Sequence, residues 1–333
     1  MAVPPGMVVG GRGTERRSTA ADAGHRHRGA FRKTEKEPAE HLLIEALQLF
    51  DDDRLHTLPV ILRALNDLWT NPDVSVEHCA RICRISPSAR VRVLVLANSV
   101  YFAPPDGRQV RNLSEAIRSI GIDRTRDVLL RTAVSPVFKH PSKHEQRFAD
   151  YSSSRLWLNS VAVAAATREL YTLTYPHSPP PMNPYMVGLL ANLGIAVEQQ
   201  VFPSAFRAAV TQRQERAARL IDIETDMIGV THAEIAAAFA AAEKLGADLA
   251  DVLHRHHDGS VKKRSIASTV YVLGAAQRLA SKHHFGYSDL AASGDACAGG
   301  ADLDPDVEDA VLRRVRRELD MLDSLGWLSA FGR

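Results

Sequence analysis

Three groups of residues in this 333-residue chain could do chemistry. The first is His254-Arg255-His256-His257-Asp258, with His232 upstream. Imidazoles and carboxylates hold zinc, manganese or iron, so the run invites a metal. On a helix, however, His254 and His257 share a face while His256 points elsewhere. The second group is His78 with Cys79 and Cys83, one helical turn apart. These could ligate an ion, but among apolar neighbours small thiols read as buried packing. Cys297 stands alone, and three cysteines are too few for a disulfide framework. The third group is arginine. Residues 81–131 carry ten arginines against four acidic side chains. Arg118, Arg124, Arg126 and Arg131 lie in a helix–Gly–helix stretch, 113–131, that superficially resembles a helix-turn-helix. A whole-chain charge of +2 predicts no general affinity for nucleic acid or for acidic membranes.

The elements that must position these groups read as helices. Hydrophobic content is 45% with only 6% aromatics, a composition suited to helices packed through Ala, Leu, Val and Ile. Residues 1–38 have no sustained apolar period and read as a disordered basic tail. From Glu40, Leu42, Leu43, Ala46, Leu47 and Phe50 form one helical stripe. Leu58, Ile61, Leu62, Leu65 and Leu68 form a second, entered through Thr57 and Pro59. Ser75 can cap a third helix. Ser86 can cap a fourth whose first residue is Pro87, with Val91, Leu94, Val95 and Asn98 on one face. Asn112 and Glu115 are spaced as a capping box for a helix burying Leu113, Ala116, Ile117 and Ile120. Gly121 suits a left-handed stop, and Asp123 can cap the next helix, which ends near Phe138.

A polar joint containing Pro141 then opens a second half. Helices are expected at about 144–171, 185–201, 204–218, 231–245, 247–257 and 262–284, with a proline-rich loop at 172–184. Residues 285–303 read as a linker. Asp304 and Pro305 start a last helix, 304–333, striped with Val307, Val311, Val315, Leu319 and Leu322, which should dock on the domain or form a dimer contact. No run is long enough to cross a membrane and no secretory signal is visible, so a cytoplasmic protein is expected. The fold class is all-α, a multi-helix bundle in two helical subdomains, 39–140 and 141–284.

Several strings together resemble the HDOD family, helical bacterial signalling modules related to the HD and HD-GYP metal-dependent phosphohydrolases. They are Leu58-Pro59, Ser86-Pro87 in place of the family's Asp-Pro, and Leu94-Val95-Leu96-Ala97-Asn98-Ser99 with Tyr101-Phe102. Further on come Leu113-Ser114-Glu115-Ala116-Ile117 with Gly121-Ile122-Asp123-Arg124, then Trp157 with Ser160, Gly188-Leu189-Leu190 with Gly194, Thr231-His232-Ala233-Glu234, and His256-His257. HD hydrolases need an early His, a His-Asp pair and a later Asp around a metal that activates water. The resemblance implies that these positions are Asn159, Ala191-Asn192 and Gln277 here, which leaves no metal cage. His232, His256 and His257 then read as remnants, with a weak zinc site as the alternative.

The expected function is therefore a non-enzymatic regulatory module with no catalytic residue and no cofactor. It would act on an unidentified signalling protein, of cyclic-dinucleotide or two-component pathways, on a nucleotide ligand, or through homodimerisation. Two alternatives stand beside it: residual HD-type phosphodiesterase activity, and nucleic-acid binding through the arginines of 113–131. The working surface is expected around Asn98, Ser99, Tyr101, Arg124 and Arg126, with Asn98 itself tying helix ends together.

Overall fold

A computed structural model of the chain describes residues 39–139, 151–287 and 303–328, apart from the single positions 54, 56, 72, 217, 259 and 260. The basic tail, the joint at Pro141, Cys297, Gly259 and most of 285–303 lie outside the described residues. The described helices belong to one compact unit, and no strand occurs among them. Nor is any of these helices long and apolar enough to cross a membrane.

The first group comprises α1 (Ala39–Gln48), α2 (Thr57–Thr70), α3 (Val76–Ile85), α4 (Pro87–Ala97), α5 (Leu113–Ile120) and α6 (Ile122–Val134). The leucine stripe of α2 is buried throughout and packs on α6 and α3. Ser75 caps α3 with His78 closing the box, and the Ser86 hydroxyl accepts from the Ala89 amide at 3.3 Å, with Pro87 in the first turn of α4. The α4 face of Val91 and Val95 turns outward, whereas Ala89, Val93, Leu96 and Ala97 enter the core. Apolar residues surround this helix, so periodicity does not single out a side; packing on α5 and α6 does.

Asn112 caps α5 by accepting from the Ser114 and Glu115 amides, but the Glu115 carboxylate turns away to pair with Arg108. Gly121, at φ +89°, lets the chain pass from α5 to α6 with no other residue between them. Asp123, expected as a cap, consequently sits in the first turn of α6 and pairs with Arg126 at 3.2 Å. A 3-10 turn at 135–138 closes this group.

The second group runs α7 (Ser153–Thr174), α8 (Pro184–Leu190), α9 (Leu193–Val201), α10 (Pro203–Arg216), α11 (Leu220–Met227), α12 (His232–Ala242), α13 (Ala247–Arg255) and α14 (Arg264–Lys282). The helix expected from 144 begins at Ser153, because Ser152 caps it by accepting from the Arg155 amide at 3.1 Å. The single helix expected at 185–201 is two, broken at Ala191-Asn192. Asn192 donates its amide to Asn159 and Ser160 of α7, at 2.9 and 3.3 Å, and the chain restarts as α9. Gly194 then lets α9 press on the start of α12: an added Cβ would lie 2.0 Å from the His232 carbonyl oxygen. Helix α11 is absent from the sequence reading.

α7 is the hub, packing on α8, α14 and α15 (Pro305–Ser324). Asp304 caps α15, and Val311, Val315, Leu319 and Leu322 are buried. α1 packs across the molecule on α12 and α9.

Candidate functional site

At the start of α12, Thr231 caps the helix and Glu234 reaches back to it, which fixes His232 as the first helical residue. The buried Glu224 of α11 accepts from the His232 backbone amide at 3.1 Å and lies 2.7 Å from His232 Nδ1. Facing a carboxylate, Nδ1 carries the proton and Nε2 keeps its lone pair. His256 Nδ1 donates to the Leu253 carbonyl at 2.6 Å. Its Nε2 is thus also a lone pair, buried and without a hydrogen-bond partner. His257 Nε2 lies 2.9 Å from His232 Nε2. Ligand nitrogens of His232, His256 and His257 all fall within 4.8 Å of one another. Burial, then the neighbouring imidazoles, hold His256 well below the ordinary histidine range; burial, then His232 and Arg219, do the same for His257.

Three convergent imidazoles can hold one zinc-class ion once the proton shared between His232 Nε2 and His257 Nε2 is displaced. The spacing argument that sent His256 elsewhere fails because α13 ends at Arg255. His256 and His257 stand in the turn that follows, both buried, while His254 on the last turn of the helix stays exposed. Asp258 pairs with Arg255 at the surface and is no ligand.

The positions that the HD resemblance assigns to ligands are built differently. Asn159 Oδ1 accepts from Asn192, and Asn159 Nδ2 donates to the Phe285 carbonyl at 2.9 Å. Ala191 is fully buried with nothing to offer, and Gln277 is a buried amide on α14. Carboxylate and imidazole are both missing there, so these residues do not fit a hydrolytic metal centre. The thiol group does not assemble either: His78 Nδ1 accepts from the Ser75 amide at 3.1 Å. Cys79 and Cys83 are core residues, with burial pushing the Cys83 thiol up to about 12.

The five residues expected at the working surface separate. Asn98 donates to the Leu94 and Val110 carbonyls and accepts from the Val110 amide, at 2.8, 2.8 and 2.7 Å, stapling the end of α4 to the segment before α5. Ser99 bonds locally to the Leu96 carbonyl. Arg126 donates to the Leu68 carbonyl at 2.7 Å and lies over Trp69. Tyr101 and Arg124 line a cleft of about 510 Å³, between α4, α6, α7 and α15, that also holds Arg131, Arg168, Arg314 and Arg317. The four arginines of the helix-turn-helix reading share no exposed face, since Arg131 is buried and Arg126 is committed to Leu68 and Asp123.

Beneath the cleft lies a buried ionic network. Glu318 of α15 accepts from Arg131 at 2.6 Å, Arg168 at 2.7 Å and the Tyr185 hydroxyl at 3.0 Å, and Arg168 also pairs with Asp127. Burial opposes the charge on both carboxylates. Asp127 is pushed up to about 6, whereas for Glu318 the two guanidiniums outweigh burial and hold it below the usual range. Sequence reasoning missed Glu224, Arg168, Tyr185 and Glu318. A signal existed: Glu224 continues the stripe of Leu220, Ile223 and Met227, and Glu318 follows Val311 and Val315 by seven and three positions. Ionisable side chains on an apolar stripe are buried with partners.

The architecture matches solved bacterial structures. An HDOD domain protein from Geobacter sulfurreducens aligns over 88% of this chain and 99% of its own, with TM-score 0.60 and 21% identity. A proposed signal transduction protein from Marinobacter aquaeolei VT8 aligns over 87% and 66%, with TM-score 0.64 and 20% identity. A proposed phosphohydrolase from Shewanella amazonensis SB2B aligns over 86% and 93%, with TM-score 0.53 and 18% identity. An uncharacterized protein of Treponema pallidum (strain Nichols) is 23% identical over 206 residues, which are 62% of this chain but span only 38% of that relative. The HDOD domain model matches residues 55–259, from just before α2 to just past the histidine cluster, and the chain belongs to the HDOD domain family.

Proposed function

We propose that this chain is a regulatory module of bacterial signal transduction that works by binding and does not hydrolyse phosphate esters. The observation that carries the reading is the amide relay at the HD positions. A metal that activates water for attack on phosphorus needs imidazole and carboxylate ligands beside an opening for substrate. Here Asn159 and Asn192 use their amides on each other, on Ser160 and on the Phe285 carbonyl, and Ala191 offers nothing. Among the described residues the histidine cluster has no second carboxylate, and Glu224 is occupied behind His232. The reading agrees with the description of the Marinobacter neighbour, and it carries with it a cytoplasmic setting as part of the proposal. Its partner would be a separate signalling protein, of cyclic-dinucleotide or two-component type, or a second copy of the chain.

The test is turnover of bis(p-nitrophenyl) phosphate and of cyclic dinucleotides by the full chain supplied with manganese, iron or zinc. No turnover above that of His257→Ala is expected. Metal-dependent hydrolysis lost in His257→Ala would establish the second reading, a residual HD-type phosphohydrolase. The convergence of three imidazole nitrogens is the observation that favours that alternative.

A further inference from the structure

We propose that the cleft between α4, α6, α7 and α15 binds a nucleotide, with the phosphate held by Arg124 and Arg317 and the base stacked on Tyr101. The site does not depend on whether the histidine cluster holds an ion. Five guanidiniums line the cleft against three carboxylates, Asp127, Glu169 and Glu318. Three of the cations are committed: Arg131 to Glu318, Arg168 to Asp127 and Glu318, and Arg314 to Glu169. Those pairs account for all three acids. Arg124 and Arg317 remain, exposed, with no ion pair or hydrogen bond among the described residues.

Arg124 lies over the Phe102 ring at 5.2 Å, which orients the guanidinium and leaves its fork of donors free. Two uncommitted guanidiniums in a concave site match a phosphate, which takes paired N–H donors. Tyr101 is 45% exposed in the same cleft and offers a ring face. A volume of about 510 Å³ is in the range of small-ligand sites. Arg317 belongs to α15, which lies beyond the matched family region of 55–259. The ligand would therefore bridge the family domain and its C-terminal helix, and its binding would tighten α15 against α6.

Calorimetric titration of the full chain with 5′-AMP, 5′-GMP, inorganic phosphate and adenosine tests this. One of the two nucleotides is expected to bind at one site per chain, about tenfold or more tighter than phosphate or adenosine. Arg124→Ala and Arg317→Ala should each weaken it by about tenfold, and Tyr101→Ala should weaken the nucleotide without changing phosphate. Arg313→Ala, on the same helix but outside the cleft, should leave binding unchanged. Arg124→Gln and Arg317→Gln, with a melting curve for each variant, separate a lost contact from a lost fold. Absence of nucleotide binding at millimolar concentration overturns the proposal. So does equal affinity for phosphate and nucleotide, or binding that survives both arginine substitutions in folded protein.

Discussion

Replacing Glu318 with alanine tests the ionic network that joins α15 to the rest of the molecule. Glu318 is the acceptor for Arg131, Arg168 and the Tyr185 hydroxyl, and the Arg131 side chain is only 5% exposed. Arg168 keeps Asp127 in the variant, whereas Arg131 keeps only the tyrosine. A buried charge stripped of its partner costs about 3–5 kcal/mol. Arg168, 30% exposed, can recruit water and adds little to that figure. Because Glu318 sits on α15, the loss should first free this helix, leaving the stripe of Val311, Val315, Leu319 and Leu322 to hold it. Hydrogen exchange should therefore speed up along 305–324 before it changes in α12, and the urea midpoint should fall. Glu318→Gln keeps the shape and one carbonyl acceptor, so roughly half the loss is expected, about 1.5–2.5 kcal/mol. The exposed Arg313→Ala control should stay within about 0.5 kcal/mol. A Glu318→Ala protein that loses under about 1 kcal/mol and keeps the α15 amides protected would refute the network as the fastening of α15.

Four further outcomes follow from the same geometry. Asn98→Ala removes two hydrogen bonds that join α4 to Val110 and a third to the Leu94 carbonyl, and should destabilise the fold by about 1–3 kcal/mol in denaturant titration; a fully stable variant that loses a binding partner would make Asn98 a contact residue instead. Gly194→Ala should disrupt the α9–α12 contact and lower the melting temperature sharply, since its Cβ would overlap the His232 carbonyl. Metal analysis should find no more than one equivalent of zinc per chain and none in His257→Ala, while two equivalents would contradict the exclusion of Asn159 and Asn192 as ligands. The Asp127 carboxyl, raised to about 6 in the fold from 3.8, binds its proton more readily folded than unfolded, so its contribution favours the fold as pH falls through 6. The depressed His256 and His257 work in the opposite direction over the same window. Comparing urea midpoints of wild type and Asp127→Asn at pH 7 and pH 5 isolates the carboxyl; an identical pH response in both proteins counts against the shift.

The helical class, the caps at Ser75, Ser86, Asn112 and Asp304, and the buried stripes of α2 and α15 are legible in the chain alone. Each depends on residues within one or two turns of each other, where hydrogen bonding and periodicity are written locally. The family strings are legible for a similar reason, being short runs in fixed order.

What tertiary structure decided is which polar groups meet. His232 and His257 are 25 positions apart, and Arg131 and Glu318 are 187 apart. No local rule pairs them, because desolvation and charge compensation act through space and across helices. Spacing on one helix misdirected His256, since the helix stops one residue earlier and the chain turns. The break at Ala191-Asn192 was equally invisible: an apolar run reads as one helix until Asn192 finds Asn159 and Ser160 on α7. Tyr101 and Arg124 could be singled out from sequence, but only the docking of α15 sets Arg317 in the same cleft, and only packing pairs the three acids there with Arg131, Arg168 and Arg314.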